Sequence, residues 1–167
     1  MSSEKLESDL LLTRDRRQER LDSYLGHRYP ATLFLSLNIP GALKNRPGTE
    51  ALFSWALNRV TDTFPGATVL ETERDLLGPY AALALTGEAG EAKQRLVALE
   101  ESTPAARLVD LDLYDHRGRQ IGRADLSLPP RSCLLCDRPA TECMRTGRHT
   151  LAALTDKTDE LLAPYRE

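Results

Sequence analysis

The feature that most constrains the fold is the order in which the spacing of apolar residues changes between positions 31 and 114. A run of bulky residues at 31–39, ended by Pro40 and Gly41, predicts a buried β-strand. The segments that follow are predicted as a helix at 47–64, strands at 67–75 and 79–86, a helix at 88–101 and a strand at 107–114. This β-α-β-β-α-β order is that of the ferredoxin-like fold, in which we expect the fourth strand to lie antiparallel beside the first.

Further segments flank this predicted core on both sides. The leucines of 6–25 have helical spacing, and Thr13 is suited to be the N-cap of a second helix that starts inside this segment. After the core we expect a strand at 120–127, a cysteine-bearing loop at 131–149 and a closing helix at 150–163. Residues 1–167 are therefore expected to form one α+β domain, with its core at about 31–128.

Composition and charge narrow the classes of partner. The chain has 22 basic and 25 acidic residues, so its sequence carries no strongly basic field that would attract nucleic acid or an anionic membrane. No apolar run approaches the roughly 20 residues that span a bilayer, and residues 1–9 are polar and acidic, unlike a secretory signal. We therefore expect a cytoplasmic protein whose three cysteines are metal ligands or free thiols.

Two carboxylates alternate with leucines in the last predicted core strand. Because residues two apart on a strand point to the same face, Asp110 and Asp112 are expected to lie side by side. Magnesium prefers oxygen ligands and commonly binds one or two carboxylates together with substrate phosphates, so the pair is a candidate Mg²⁺ site. The alternative is an exposed, solvated strand face, and nothing in the sequence selects Asp115 or Asp125 as a third ligand.

Basic residues occur at two places that suit phosphate binding. The loop at 38–46 is expected to expose backbone N–H groups before a helix, and Lys44 and Arg46 add positive charge there. In the predicted topology this loop lies beside the start of the fourth strand. Arg14 and Arg17 share one face of the first helix and can grip phosphates through their planar guanidinium groups. The alternatives are an ordinary loop and a solvated charged helix face.

Four metal-ligand side chains occur within seventeen residues, with the spacing C-x2-C-x6-C-x5-H. They are Cys133, Cys136, Cys143 and His149. A C-x2-C pair can chelate zinc, and three cysteines with one histidine form a known structural zinc set that leaves no open coordination position. The alternative is three small, partly buried cysteines and a surface histidine. No histidine has the surroundings of a Ser-His-Asp triad.

Three stretches of the sequence resemble one known family. They are LLLTRDRRQ at 10–18, RLVDLD at 107–112 and SLPPRSCLLC at 127–136, the last continuing to Cys143, Arg145 and His149. The cysteine-bearing stretch is the most specific of the three, and together they occur in order over most of the chain. On these residues the chain resembles the apo-citrate lyase phosphoribosyl-dephospho-CoA transferases, the holo-acyl-carrier-protein synthases of citrate lyase.

The resemblance implies an enzyme that transfers the phosphoribosyl-dephospho-CoA prosthetic group from a triphosphoribosyl precursor. The implied acceptor is a serine of the apo citrate lyase acyl carrier (gamma) subunit, and pyrophosphate is released. This is nucleotidyltransferase-type chemistry, which implies a palm-like core and a divalent metal ion. The attacking hydroxyl then belongs to the partner, so this chain needs no nucleophile of its own.

The roles of individual residues are assigned from the chemistry of their side chains. We assign Mg²⁺ to Asp110 and Asp112, either of which can also accept the serine proton. The residues assigned to phosphate contacts are Lys44, Arg14, Arg17 and Arg131. Two other readings remain open at this point: the equivalent transferase for the malonate decarboxylase carrier protein, and a non-catalytic zinc-knuckle adaptor of citrate lyase.

Overall fold

The computed structural model describes residues 3–26 and 28–166. His27 lies outside the described residues. The elements in chain order are α1 (Ser3–Tyr24), β1 (Ala31–Leu37), α2 (Thr49–Thr63), β2 (Thr68–Asp75), β3 (Gly78–Leu85), α3 (Ala89–Glu100), β4 (Val109–Asp115), β5 (Gln120–Ile121), α4 (Ala140–Thr146) and α5 (Leu151–Leu162). No helix in these two ranges is both long and apolar enough to cross a membrane.

The five strands form one antiparallel sheet in the order β2-β3-β1-β4-β5. Leu35 on β1 lies opposite Ala81 on β3 and Leu111 on β4. The predicted antiparallel pairing of the fourth strand with the first is confirmed. The protein is therefore an α+β protein whose central strand, β1, is paired along both edges.

One face of the sheet is buried under α2 and α3. Alternate residues of the strands point to this face because successive side chains of a strand point to opposite sides. The shared core includes Leu33, Leu35, Leu83, Leu111 and Leu113 of the sheet, with Leu52, Val60 and Leu96 of the helices. Burial of each such side chain contributes about 1.5–3 kcal/mol. The even-numbered residues of β4 consequently lie on the opposite face.

The second half of α1 packs on that opposite face. Leu21 joins Phe34, Tyr80 and Ala82 in a small apolar cluster. Arg17 fixes the helix there, since its Nε and Nη2 donate to the Asp75 carboxylate at 2.7 and 2.6 Å. Its Nη2 also donates to the Gly78 carbonyl at 2.7 Å, and its guanidinium lies 4.5 Å from the centre of the Tyr80 ring. Arg17 therefore ties α1 to the turn between β2 and β3.

The short strand β5 covers only part of the outer edge of β4. Side chains form hydrogen bonds with backbone groups of β4 that β5 does not reach. The Leu111 N–H donates to Glu100 Oε1 at 3.2 Å, and the Leu111 carbonyl accepts from Lys93 Nζ at 2.7 Å. Arg131 Nη2 donates to the Val109 carbonyl at 2.9 Å and lies 2.9 Å from Glu100 Oε1. Buried backbone groups require such partners. These contacts attach the end of α3 and the start of the cysteine-bearing segment to β4.

The predicted strand at 120–127 is wrong beyond Ile121. The chain turns at Gly122 into a 3₁₀-helix, Arg123–Leu126, because the Asp125 carboxylate accepts the Gly122 N–H at 2.8 Å. Ser127 then has a left-handed φ of 56°, which no strand allows. Local capping therefore overrides the strand pattern in this segment.

The predicted second helix start at Thr13 is also wrong, because α1 runs without a break from Ser3 to Tyr24. The Thr13 hydroxyl donates to the Asp9 carbonyl one turn back at 2.7 Å, a bond typical of threonine inside a helix. The segment predicted as a loop at 131–149 contains the short helix α4, which is capped by Gly147 with φ 57°. The predicted closing helix is α5, with the Thr150 hydroxyl accepting the Ala153 N–H.

Replacing Arg17 by Ala is expected to lower the free energy of unfolding by about 2–3 kcal/mol, because it removes charge-assisted hydrogen bonds and leaves Asp75 unpaired. Urea denaturation measures the change. The matched control is Arg16→Ala, an exposed neighbour on the same helix, for which the change should stay below about 0.5 kcal/mol. Equal effects of the two substitutions would contradict the anchoring role.

Candidate functional site

Asp110 and Asp112 lie on the face of β4 that points away from α2 and α3. Asp110 is opposite Ser36 of β1, and Asp112 is opposite Phe34. Both carboxylates are half-buried, and Gln120 Nε2 donates to Asp112 Oδ1 at 2.8 Å. The structure therefore brings the two predicted carboxylates together on one face.

Burial and mutual repulsion weaken the acidity of this pair. Burial, with the neighbouring charge of Asp110, raises the pKa of Asp112 to about 6. Burial also raises the pKa of Asp110, although the positive charge of Arg131 opposes the shift. The same burial and the two carboxylates raise the pKa of Tyr114 to about 12. A cation placed between the carboxylates would relieve this repulsion.

Lys44 and Arg14 form a cationic pair at the carboxyl end of β1. Lys44 Nζ donates to the Ile39 carbonyl, and burial together with the nearby charge of Arg14 lowers the pKa of Lys44. Gly41 has a φ of 78°, which permits the tight turn predicted before Lys44. The structure therefore brings the loop after β1 and the first half of α1 together. The positive charges of Lys44 and Arg14 repel each other there, and a bound anion would offset this repulsion.

The other predicted phosphate contacts already have protein partners. Arg17 is bound to Asp75, and Arg131 to Glu100 and the Val109 carbonyl. Arg46 of the same loop pairs with Asp159 of α5 through Nε and Nη2 at 2.9 and 2.6 Å. Arg131 still lies close enough to Asp110 to influence its pKa, whereas Arg17 and Arg46 serve to attach α1 and α5.

Cys133, Cys136, Cys143 and His149 converge, as their spacing predicts. Their candidate ligand atoms all lie within 4.8 Å of one another, an arrangement that could hold a metal ion. Cys136 Sγ lies 3.5 Å from Cys143 Sγ and 3.4 Å from His149 Nε2. Tetrahedral zinc with bonds of about 2.3 Å places two sulfurs roughly 3.8 Å apart, so the donor set fits zinc.

The backbone around the cysteines is held in a compact knuckle. The Cys133 N–H donates to the Arg138 carbonyl at 2.7 Å, and the Ala140 N–H donates to the Arg131 carbonyl at 2.9 Å. Arg107 Nη2 donates to the carbonyls of Ser132 and Cys133 from the segment just before β4. These contacts place the cysteine module, residues 131–149, against the end of the sheet where Asp110 lies.

Sequence reasoning missed Lys93, Glu100, Arg107 and Gln120. Lys93 and Glu100 are 6% and 4% exposed, yet both are charged. A signal was available, because both fall on the side of α3 that carries Ala92, Leu96 and Leu99. A charged residue within an apolar helical stripe indicates a buried partner.

Comparisons with known proteins agree with the motifs. The profile of the CitX family, described as apo-citrate lyase phosphoribosyl-dephospho-CoA transferase, matches residues 6–165. A protein of that name from Shigella flexneri serotype 5b (strain 8401) is 32% identical over 158 residues, which cover 92% of this chain and 86% of the relative. Relatives of the same name from Escherichia coli O1:K1 / APEC and Escherichia coli O139:H28 (strain E24377A / ETEC) are each 33% identical over 159 residues, with the same coverage of 92% and 86%.

Replacing Asp112 by Asn is expected to raise the free energy of unfolding at pH 8 by about 1–2 kcal/mol, because it removes a repelled, half-buried charge. The pKa of Asp112 in the folded protein, about 6, lies above that of an unfolded aspartate. The contribution of Asp112 to wild-type stability is therefore greatest at low pH, where its carboxyl group is protonated, and it falls as the pH rises through 6. The gain should therefore vanish near pH 4. Urea denaturation across this range measures it.

The control for this series is Asp62→Asn on α2, an exposed position where substitution should change the free energy of unfolding by less than about 0.5 kcal/mol. A difference between Asp112→Asn and wild type that did not change with pH would contradict the raised pKa.

Proposed function

Because the chain belongs to the CitX family of apo-citrate lyase phosphoribosyl-dephospho-CoA transferases, we propose that it transfers the phosphoribosyl-dephospho-CoA group to a serine of the apo citrate lyase acyl carrier (gamma) subunit. The donor is the triphosphoribosyl form of this group. The observation that carries the proposal is that Asp110 and Asp112 lie side by side and half-buried on one face of β4, with Asp110 near the carboxyl end of β1, where Lys44 and Arg14 meet.

The transfer is a substitution at the phosphorus nearest the ribose of the donor. The serine oxygen forms a new bond to this phosphorus, the bond from phosphorus to the pyrophosphate oxygen breaks, and the serine proton passes to a base. Either carboxylate of the pair, Asp110 or Asp112, can accept that proton. The two phosphates that leave do so as pyrophosphate.

The carboxylate pair fits Mg²⁺ by the chemistry of its donors. Asp110 and Asp112 supply hard oxygen ligands on one face, and their repulsion favours a bound cation. When bound, the metal ion offsets the negative charge of the reacting and leaving phosphates. Lys44 and Arg14 bind the outer phosphates, and Arg131 holds its guanidinium beside Asp110. Arg17, which is bound to Asp75, is assigned instead to holding α1, and with it Arg14, against the sheet.

The fold of the core supports this chemistry. We assign it to the ferredoxin-like, nucleotidyltransferase-palm type, because its first four strands follow the order β2-β3-β1-β4 with a helix in each crossover. In that arrangement the loop after β1 and the start of β4 lie at the same end of the sheet. Lys44 and Asp110 therefore lie toward the same end of the sheet for a topological reason.

The cysteine module is proposed to hold a structural zinc ion. Four protein ligands fill a tetrahedral site and leave no position for a substrate, so the metal would stabilise the knuckle rather than react. The module has few buried apolar side chains of its own, with Cys133 and Cys143 themselves being buried. Zinc would supply the folding free energy that such a short segment cannot obtain from a core.

Transfer is tested by the intact mass of the apo carrier subunit after incubation with this protein, Mg²⁺ and the triphosphoribosyl donor. Wild type should add the mass of the prosthetic group, with release of pyrophosphate. Asp110→Asn and Asp112→Asn should each lower the rate by at least about 10³-fold, because each removes a metal ligand. Asp62→Asn, the exposed control, should retain the wild-type rate.

Three outcomes would count against the proposal. Full activity of either aspartate variant would remove the carboxylates from the mechanism. Binding of the carrier without any mass gain would favour a non-catalytic adaptor, and a mass gain on the apo malonate decarboxylase carrier alone would favour the other transferase.

The zinc proposal predicts one zinc ion per purified chain, measured by elemental analysis. His149→Ala should weaken zinc affinity by more than about 10-fold and lower the unfolding temperature, because it opens the tetrahedral site. His116→Ala, a change in the turn between β4 and β5, should leave the zinc content unchanged. Loss of zinc from both variants, or zinc in neither of them nor wild type, would contradict this assignment.

A further inference from the structure

A cavity of about 400 Å³ lies between the cysteine module, the turn after β1 and α5. Its lining includes Asn38, Gly41, Leu134, Met144, Leu151 and Leu154. The volume falls within the range of small-molecule sites, about 300–1,000 Å³. The proposed mechanism does not use this cavity, although three of the four candidate zinc ligands line it.

The walls of the cavity are set by the fold and its mouth is apolar. At Gly41, a Cβ atom would lie 3.3 Å from Leu151 Cδ1, so the turn after β1 closely approaches α5. Met144 and Leu151 are 79% and 58% exposed, so two large apolar side chains at the mouth face solvent. Exposed apolar groups that border a cavity mark a binding site for an apolar ligand.

The cavity begins where the carboxylate face ends. Asn38 extends the β1 ladder by one step, since its N–H donates to the Leu108 carbonyl at 2.8 Å. It therefore follows Ser36, which lies opposite Asp110, on the same side of the sheet. Ile39, whose carbonyl binds Lys44, is the next residue. A ligand held at the carboxylate face can thus extend past Asn38 into the cavity.

The lining selects the kind of chain that can enter. Most of its residues are aliphatic, sulfur-containing or small, and His149 carries the only aromatic ring among the lining residues that the structure describes. It offers no Phe, Tyr or Trp on which a nucleobase would stack. The exposed Asn38 amide can both donate to and accept from an amide of the ligand. These features favour a flexible, mostly apolar chain that carries amide groups.

We propose that this cavity binds the pantetheine arm of the dephospho-CoA moiety, an inference that rests on the proposed function. The arm carries two amides and aliphatic segments, and it is attached to the nucleotide through phosphates. Its amides would bond with Asn38, and its aliphatic part would cover Met144 and Leu151. The arm therefore supplies binding energy remote from the reacting phosphorus and helps to orient the donor.

Binding of dephospho-CoA and of ADP, which lacks the arm, tests the proposal by titration calorimetry without any carrier. Wild type should bind dephospho-CoA at least 10-fold more tightly than ADP. Ala140→Leu, which projects a larger side chain from the cavity lining, should remove most of this preference and leave ADP affinity unchanged. Leu151→Ser, which strips an exposed part of the wall, should weaken dephospho-CoA alone. Ala152→Leu, an exposed neighbour on α5, should behave as wild type.

Two results would overturn the proposal. One is equal affinity of wild type for dephospho-CoA and ADP. The other is an equal loss for both ligands in Ala140→Leu and Leu151→Ser at unchanged zinc content. If Ala140→Leu does not fold, the proposal is tested by the wild-type preference for dephospho-CoA over ADP and by the affinities of Leu151→Ser. If the carrier subunit gains no mass in the transfer assay, the proposed function is contradicted, but the preference for dephospho-CoA over ADP is unaffected. The two failures can therefore be distinguished.

Discussion

The buried carboxylate of Glu100 is the interaction on which the arrangement of the site depends. It is 4% exposed, and it accepts from the Leu111 N–H, from Arg123 at 3.1 Å and lies 2.9 Å from Arg131. It thereby joins the end of α3, the outer edge of β4, the 3₁₀-helix after β5 and the start of the cysteine module. Breaking one member of such a buried set leaves an uncompensated charge, which costs several kcal/mol. The position of the module relative to β4 is fixed for this reason.

In the same region, the negative charge of two further carboxylates is disfavoured. Asp110 and Asp112 lie in surroundings that penalise ionisation, and the charge of Glu100 adds to the penalty, while Lys93 and Arg131 reduce it. Carboxylates with such shifted pKa values are frequent at functional sites, and for this reason the pair is proposed as a metal site.

Much of the fold was predictable because its signals are local. The apolar period predicted the order of the helices and strands from β1 to β4, and the alternation within β4 predicted that Asp110 and Asp112 share one face. The errors arose where a side chain bonded the nearby backbone. The Asp125 carboxylate ends β5 early by capping Gly122, and the Thr13 hydroxyl bonds within α1 instead of starting a helix. Neither outcome changes the hydrophobic pattern, so the pattern could not reveal it.

The sequence by itself determined that two carboxylates share a strand face and that three cysteines and a histidine can meet, because both depend on spacing along a short segment. Only the tertiary structure decided which basic side chains remain available. Arg17 and Asp75 are 58 residues apart in the sequence, and Arg46 and Asp159 are 113 apart, yet the side chains of each pair are hydrogen-bonded to each other. Lys44 and Arg14 instead meet each other. Such pairings depend on which distant segments the sheet order brings within hydrogen-bond distance, and no local pattern encodes that.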